Sequence, residues 1–393
     1  MTKLEQLIEE LCPNGVEYRT LNTICNVYDG THQTPQYTDS GIKFASVENI
    51  ADPYATEKYI SASDYEKYKI KPQRNDLLMT RIGSIGVCTV IESDEPLAYY
   101  VSLALLRPDN SILNSRYLKY AIESLHCRKE LRKRTLVNAV PIKINMGDIG
   151  KITLPVPPLP VQSEIVRILD NFTELTTELT TELTARKKQY EFYRDKLLTF
   201  GDVREGATSD VIQRTLGEVC KISAGGDAPK DSMSKQKTEK YSVPIISNGI
   251  GENALYGYTD APKVEEPAVT VAARGTIGYA EYRDYPFYPI IRLLTAIPKD
   301  STIVNTKYLY YCLQGKQYSV PMGGIPQLTA PELKKVEIPI PSLDVQNRIV
   351  QVLDNFDAIC TDLSPGLPAE IEARQKQYEY YREKLLAFHE MSN

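Results

Sequence analysis

Residues 154–172 read LPVPPLPVQSEIVRILDNF, and 184 positions later residues 338–356 read IPIPSLDVQNRIVQVLDNF. A second block, ARKKQYEFYRDKLLTF at 185–200, returns at 373–388 as ARQKQYEYYREKLLAF. Its offset is 188, so the second copy carries four more residues between its blocks. Self-similarity on this scale means that the fold is built twice. The long segments ahead of each copy correspond more weakly. Arg19-Thr20-Leu21 with Cys25 matches Arg214-Thr215-Leu216 with Cys220, Gly83-Ser84-Ile85-Gly86 matches Gly275-Thr276-Ile277-Gly278, and Asn114 to Leu118 matches Asn305 to Leu309. Pro141 and Pro326 then precede each copy of the repeated blocks. A chain of 393 residues has room for two or three domains. The repeat divides it into an N-terminal helical segment (1–15), a domain (16–150), a central helical spacer (151–205), a second domain (206–335) and a C-terminal helical spacer (336–393).

Each repeated block opens on prolines, which end a strand or loop and pre-set a helix start. In the first copy Phe172, Leu179, Tyr193 and Phe200 form one row at heptad spacing, with Leu183, Tyr190 and Leu197 on a second. A helix from about Gln162 to Phe200 would run roughly 58 Å at ~1.5 Å per residue. It must pack along its length, and the second copy supplies a partner, with Leu179–Leu197 expected against Ile371, Tyr378, Tyr381 and Leu385. Between the blocks lies TELTTELTTELT (173–184), which puts Leu175, Leu179 and Leu183 near one face and reads either as an ordinary amphipathic helix or as an adjustable spacer. Ser364-Pro365-Gly366-Leu367-Pro368 should break the second copy's helix. Ile165, Ile168 and Leu169 form an apolar seam expected to be partly exposed without partners.

The long segments are punctuated by Gly, Pro and Asp around apolar runs such as KFASVENI, DLLMTRIGSIGVCTVI and LAYYVSLALLRP, which read as strands, while Ser115–Arg134 has helical periodicity. The expected fold is therefore α/β (α+β), with two similar globular domains separated by two long helical segments packed as an antiparallel coiled coil.

Composition narrows the chemistry. The seven cysteines (Cys12, Cys25, Cys88, Cys127, Cys220, Cys312, Cys360) make no CxxC pair, which argues against a zinc or disulfide framework and for a reducing cytoplasm. No run approaches 18 apolar residues, and the N-terminus is acidic and amphipathic, so neither a membrane span nor export is expected. His32, His126 and His389 are too few and too scattered for a metal site or a catalytic triad. There is no phosphate-binding GxxxxGK[ST] or GxGxxG loop, and Asp52-Pro53-Tyr54 and the Gly83–Gly86 run read as turns. No catalysis is expected of the chain itself. The 27 tyrosines with no Trp suggest many rings with polar tips at wet interfaces. The net charge of −5 comes from the last stretch, where residues 336–393 hold five basic and ten acidic side chains; the two large domains are near neutral.

Arg128, Lys129, Arg132 and Lys133 share a helical side at i, i+4 spacing, as a phosphate-facing stripe or a solvated helix face would. The corresponding helix of the second domain carries only Lys316. Loops DGTHQTPQY (29–37) and AGGDAPK (224–230) occupy matching places. Thr31, Gln33 and Thr34 in the first, and Asp227 and Lys230 in the second, are the residue types that reach base edges and phosphates. Arg81 and Arg274, beside the paired glycines, read as guanine readers or as ion-paired loop residues.

With the duplicated LPxPPLxxQxxIVxxLDxF segments, the paired RxKQYExYRxKLL segments, the TELT repeat and GLPAEIEARQKQYEYYR near the C-terminus, the chain resembles the DNA-specificity subunits of type I restriction-modification systems over essentially its whole length. The TELT tract is most similar to a subgroup with a four-residue repeat in the central spacer. The resemblance implies two target-recognition domains, each reading half of a split double-stranded DNA sequence. It also implies spacer helices that set the gap and dock two methyltransferase subunits, joined by motor-nuclease subunits. S-adenosylmethionine, ATP and Mg would belong to those partners, with no cofactor in this chain. The other reading is a stand-alone or spare bipartite DNA-binding protein outside any active restriction enzyme.

Overall fold

A computed structural model describes residues 2–200, 211–318, 326–361 and 366–391. The chain divides into two compact units, Met1–Thr180 with Glu370–Asn393, and Thr181–Ala369.

The first unit is built on a four-stranded antiparallel sheet in the order Cys25–Asp29, Leu103–Pro108, Leu77–Thr80, Cys88–Val90. The apolar run of its inner strands follows from burial on both faces. Leu77, Met79, Ala104 and Leu106 enter one core while Leu78, Leu103 and Leu105 enter another, as the two-residue period of a strand requires. A second sheet has the order Tyr37–Thr38, Tyr59–Ile60, Ile42–Ala45, Leu97–Tyr99, its last pair parallel. A two-stranded ribbon joins Glu17–Thr20 to Thr153–Val156, where Pro155 can sit because the strand is an edge.

The second unit repeats this plan strand for strand. Its sheets run Cys220–Ala224, Leu294–Pro298, Ala268–Val271, Ala280–Arg283 and Met233–Ser234, Leu255–Thr259, Val243–Ile246, Tyr288–Pro289, with the last pair again parallel. The ribbon is Ile212–Thr215 with Glu337–Ile340. Sequence similarity between the domains is faint; their topology is the same.

The central helix spans Leu159–Thr199, 41 residues. Its first turn is clamped to the first domain by a buried glutamine. Gln162 Nε2 donates to the carbonyls of Ile112 (2.8 Å) and Pro157 (2.7 Å), and its Oε1 accepts from the Asn114 N–H (2.8 Å). Gln346 does the same in the second unit with Ile303, Pro341 and Asn305, at 2.8, 2.9 and 2.9 Å. Two further residues of the repeated block act alike. Asp170 accepts from the Tyr120 hydroxyl and from Arg116, both at 2.6 Å, and Asp354 accepts from the Tyr311 hydroxyl and from Lys307. Tyr117 and Tyr308, fully buried, donate to the carbonyls of Pro155 (2.9 Å) and Pro339 (2.8 Å). These four tyrosines thus lie inside the junction between domain and helix, while most of the others are half-buried or exposed. Of the seam expected to be partly exposed, Ile168 is partly exposed, while Ile165 and Leu169 are buried in the first core, which corrects the expectation for those two.

The helical pairing is antiparallel within each unit. In the first, Phe172 stacks on Tyr381 (5.3 Å between ring centroids), while Ile168 and Leu385 line one cavity and Tyr378 meets Tyr120 edge-on. In the second, Tyr193 stacks on Phe356 (5.7 Å), and Tyr190 and Leu197 pack with Ile349 and Leu353. The expected partner of the later half of the central helix, Ile371–Leu385, is therefore corrected to the Leu343–Thr361 helix. The second copy is two helices, Leu343–Thr361 and Leu367–Leu385. Of the expected break, Gly366 to Pro368 open the later helix; Ser364 and Pro365 lie outside the described residues.

Leu179 and Leu183 are half-buried, but Leu175 is 44% exposed and off the seam, where Thr176 takes its place. The threonine hydroxyls are satisfied by carbonyls one turn back: Thr176 to Phe172 (2.9 Å), Thr177 to Thr173 (2.8 Å), Thr180 to Thr176 (2.7 Å). At the other end, the helix Lys3–Leu11 is capped by Thr2 and Glu5. Its Lys3, together with Arg167, bonds Glu164, and the two cations, Arg167 foremost, hold that carboxyl at about 2.

Candidate nucleic-acid interface

In the first domain the loop that begins at Asp29 leaves the sheet beside Tyr100. A Cβ on Gly30 would come within 2.4 Å of the Tyr100 carbonyl oxygen, so only glycine fits that approach. Thr31 is bound into the fold: its N–H donates to Tyr99 O (3.2 Å), its carbonyl accepts from Val101 N–H (2.9 Å), and its hydroxyl donates to Gln33 O (3.2 Å). Gln33 and Thr34 are exposed. Asp227 and Lys230 are exposed in the matching loop of the second domain, where Gly225 makes the same close approach to Pro289.

Arg81 is 7% exposed. Its guanidinium bonds Asp29 (3.0 Å), Val101 O (2.8 Å) and Ile144 O (3.3 Å), tying three chain segments together. Of its two sequence alternatives, the ion-paired one describes this geometry. Arg274 is not its counterpart. Arg81 O accepts from Ile144 N–H as Ala273 O accepts from Leu328 N–H, which aligns Arg81 with Ala273 and Asp29 with Ala224. Both partners of the first domain's ion pair are alanine in the second. Arg274, one residue on, is half-exposed and bonds Gln327 Oε1 (2.6 and 3.0 Å).

Ser115–Arg134 is two helices, Ser115–Glu123 and Leu125–Arg134, a correction to the single helix expected. Ser124 makes the break: its hydroxyl donates to Ala121 O (2.7 Å) and caps the second helix by accepting from Cys127 N–H (3.3 Å). The four basic residues lie on the second helix. Arg128, Lys129 and Arg132 are exposed and make no ion pair among the described residues. Lys133 pairs with Glu130 (2.9 Å), as does Arg134 (2.6 Å); both hydrogen bonds hold the Glu130 carboxyl below its usual range, so its charge offsets part of the stripe. Under the stripe, Glu123 is pushed up by burial and accepts from Cys88 N–H (3.2 Å). Lys316 lies beyond its helix, Thr306–Leu313; it is exposed, and its Nζ donates to Glu337 O (2.8 Å). Asp52 and the Gly83–Gly86 run form the turns expected of them; Gly83 and Gly86 have φ of +82° and +84°.

A model of the type I restriction modification DNA specificity domain matches residues 13–187 and again 208–373. This chain belongs to that family. It is 37% identical over 292 residues to a putative type I specificity subunit of Mycoplasma pneumoniae, covering 71% of this chain and 83% of that one. A putative type I restriction enzyme specificity subunit of Haemophilus influenzae is 36% identical over 299 residues, covering 70% and 73%. A type I restriction enzyme specificity subunit of Escherichia coli is 35% identical over 266 residues, 61% and 63%. The fold is that of a type I S subunit from M. genitalium (TM-score 0.57, 15% identity, covering 95% of this chain and 96% of that one). It also matches a chain solved in work on complex assembly and conformational transition of the type I system (TM-score 0.64, 16% identity, 96% and 98%).

Gln162, Gln346, Asp170 and Asp354, which hold the helices to the domains, were missed by reasoning on residue types. The signal was present: all four are identical between the two copies. No helix among the described residues is long and apolar enough to cross a membrane.

Proposed function

We propose that this specificity subunit reads a bipartite double-stranded DNA target, one half-site per domain, and performs no chemistry itself. The duplication carries the reading: one topology twice, with different loop chemistry on each copy, suits the reading of two unlike short sequences. Gln33 and Thr34 in the first domain, and Asp227, Lys230 and Arg274 in the second, face base edges or phosphates, while Thr31 and Arg81 hold the first loop in place. The helices dock two methyltransferase subunits. Supporting this, Phe192 and Tyr380 occupy the same position of the repeated block and are 61% and 62% exposed, a pair of equivalent aromatic anchors for two copies of one partner. Motor-nuclease subunits complete the assembly, and S-adenosylmethionine, ATP and Mg are bound by the partners. A stand-alone or spare DNA-binding role is not favoured, since the curated relatives above are specificity subunits of type I systems.

Co-expression with the methyltransferase subunit and single-molecule sequencing of host DNA tests this. Methylated adenines in one split sequence are expected; methylation that does not depend on this chain, or a contiguous target, overturns it. Turnover of S-adenosylmethionine by the isolated chain overturns the non-catalytic part.

Replacing Arg128, Lys129, Arg132 and Lys133 together by Ala is expected to weaken binding to all DNA sequences alike. With three unpaired cations among them, the slope of log K against log salt should flatten by roughly 3, about 0.9 for each phosphate no longer neutralised. An unchanged slope would leave the helix as an ordinary solvated face.

A further inference from the structure

The stretch between the basic helix and Ile144 carries no sequence motif, yet it holds the most exposed large apolar side chain among the described residues, Val140 at 99%, with Val137 at 63%. Leu136 and Ile142 are exposed beside them. The turn is held at its base. Leu136 N–H donates to Lys143 O (2.8 Å) and Ala139 N–H to Leu136 O (3.2 Å), while Gly83 N–H donates to Ile142 O and Ile144 N–H to Arg81 O, at 2.9 and 3.0 Å. It is therefore a fixed projection, and its apolar tip is presented rather than left loose.

Two neighbours say what it meets. The basic helix runs directly into it and packs on the same Gly83–Gly86 turn through Leu131, whose side chain would stand 2.8 Å from a Cβ on Gly86. Exposed Lys143 closes the other side. An apolar tip between cations is complementary to the floor of a groove between two rows of phosphates. At the base of the turn Arg81 bonds both Ile144 and Asp29, so the turn and the loop 29–37 leave the domain from two sides of one guanidinium.

We propose that the turn 136–142 is a base-reading element of the first domain, with Val137 and Val140 making apolar contact with base edges of the half-site. The apolar group that a base pair presents in the major groove is the thymine methyl, so the readout falls on A·T positions. The inference rests on the DNA-reading function proposed above and adds a second reading element to the loop 29–37.

The test is a Val137→Ser, Val140→Ser double variant of the full chain, assembled with the methyltransferase subunit. Both side chains are exposed, so its melting temperature should match that of the parent. Competition is measured between duplex carrying the mapped target and duplexes altered at single positions of either half. Discrimination at A·T positions of the first half-site should fall about tenfold, within the usual cost of one mismatched pair, with the second half-site, the gap and the salt slope unchanged. Equal loss in both half-sites, loss in neither, or loss of methyltransferase association overturns the proposal, the last by making the turn a protein-docking surface. If the parent complex itself shows no split target, the function proposed above has failed; a split target with an unaffected variant defeats this inference alone.

Discussion

Gln162→Leu is expected to destabilise the first unit by roughly 3–5 kcal/mol, because it removes one side chain and orphans three backbone groups. The Asn114 N–H loses its acceptor, and the carbonyls of Ile112 and Pro157 lose their donor. Each buried group left unpaired costs roughly 1–3 kcal/mol, and partial relaxation keeps the total below the simple sum. Leucine fills nearly the same space, so little of the loss would come from a cavity. Gln162→Glu should be no milder than Leu at neutral pH: it keeps an acceptor for Asn114 N–H, but it either buries a carboxylate against the carbonyls of Ile112 and Pro157 or must take up a proton, so its loss should shrink as pH falls. Gln346→Leu should reproduce the effect in the second unit and leave the first alone. Urea unfolding together with amide exchange resolved by segment measures this. In Gln162→Leu, faster exchange should appear in 112–118 and at the start of the Leu159–Thr199 helix. A change under 1 kcal/mol with unaltered exchange would show that the glutamine is not the clamp.

Deleting Thr177 to Thr180 is expected to shorten the gap in the DNA target while leaving both half-sites as they were. Four residues at ~1.5 Å each remove roughly 6 Å from the helix, against a rise of about 3.4 Å per base pair, so the gap should contract by one or two base pairs. The change in register is small. Four residues advance a helix by about 400°, so Leu183 takes the place of Leu179 and Thr184 that of Thr180, and everything after them turns by only about 40°. A three- or five-residue deletion would turn the rest of the helix by about 60° or more, although the packing of Tyr190 and Leu197 on Ile349 and Leu353, which lies wholly after the deletion, would be kept. Methylation mapping in a strain carrying the deletion decides the matter. An unchanged gap with retained activity refutes the spacer role; altered half-site bases show that recognition is not confined to the two domains.

Much of the architecture was determined by the sequence alone, because the features concerned are periodic or duplicated. The offset repeat implied two like units. The rows Phe172, Leu179, Tyr193 and Leu183, Tyr190, Leu197 marked the packed side of the helix, since heptad spacing places them there whatever the partner. The apolar runs marked strands that prove to be buried on both faces. The structure decided the rest, and for Arg81 and Gln162 the deciding partner comes from far along the chain. Arg81 and Arg274 look alike beside their glycines, but one residue of register sends the first inward to Asp29, 52 positions away, and leaves the second half-exposed. Leu175 falls off the seam although its four-residue spacing matched, because a helix turns through 3.6 residues and the row drifts. Gln162 reads as one more polar residue on a helix until the carbonyl of Ile112, 50 positions back, meets it. Nothing in the sequence sets Val137 and Val140 apart. Their exposure follows only once Ile144 is pinned by Arg81 and the turn before it has nothing left to cover it.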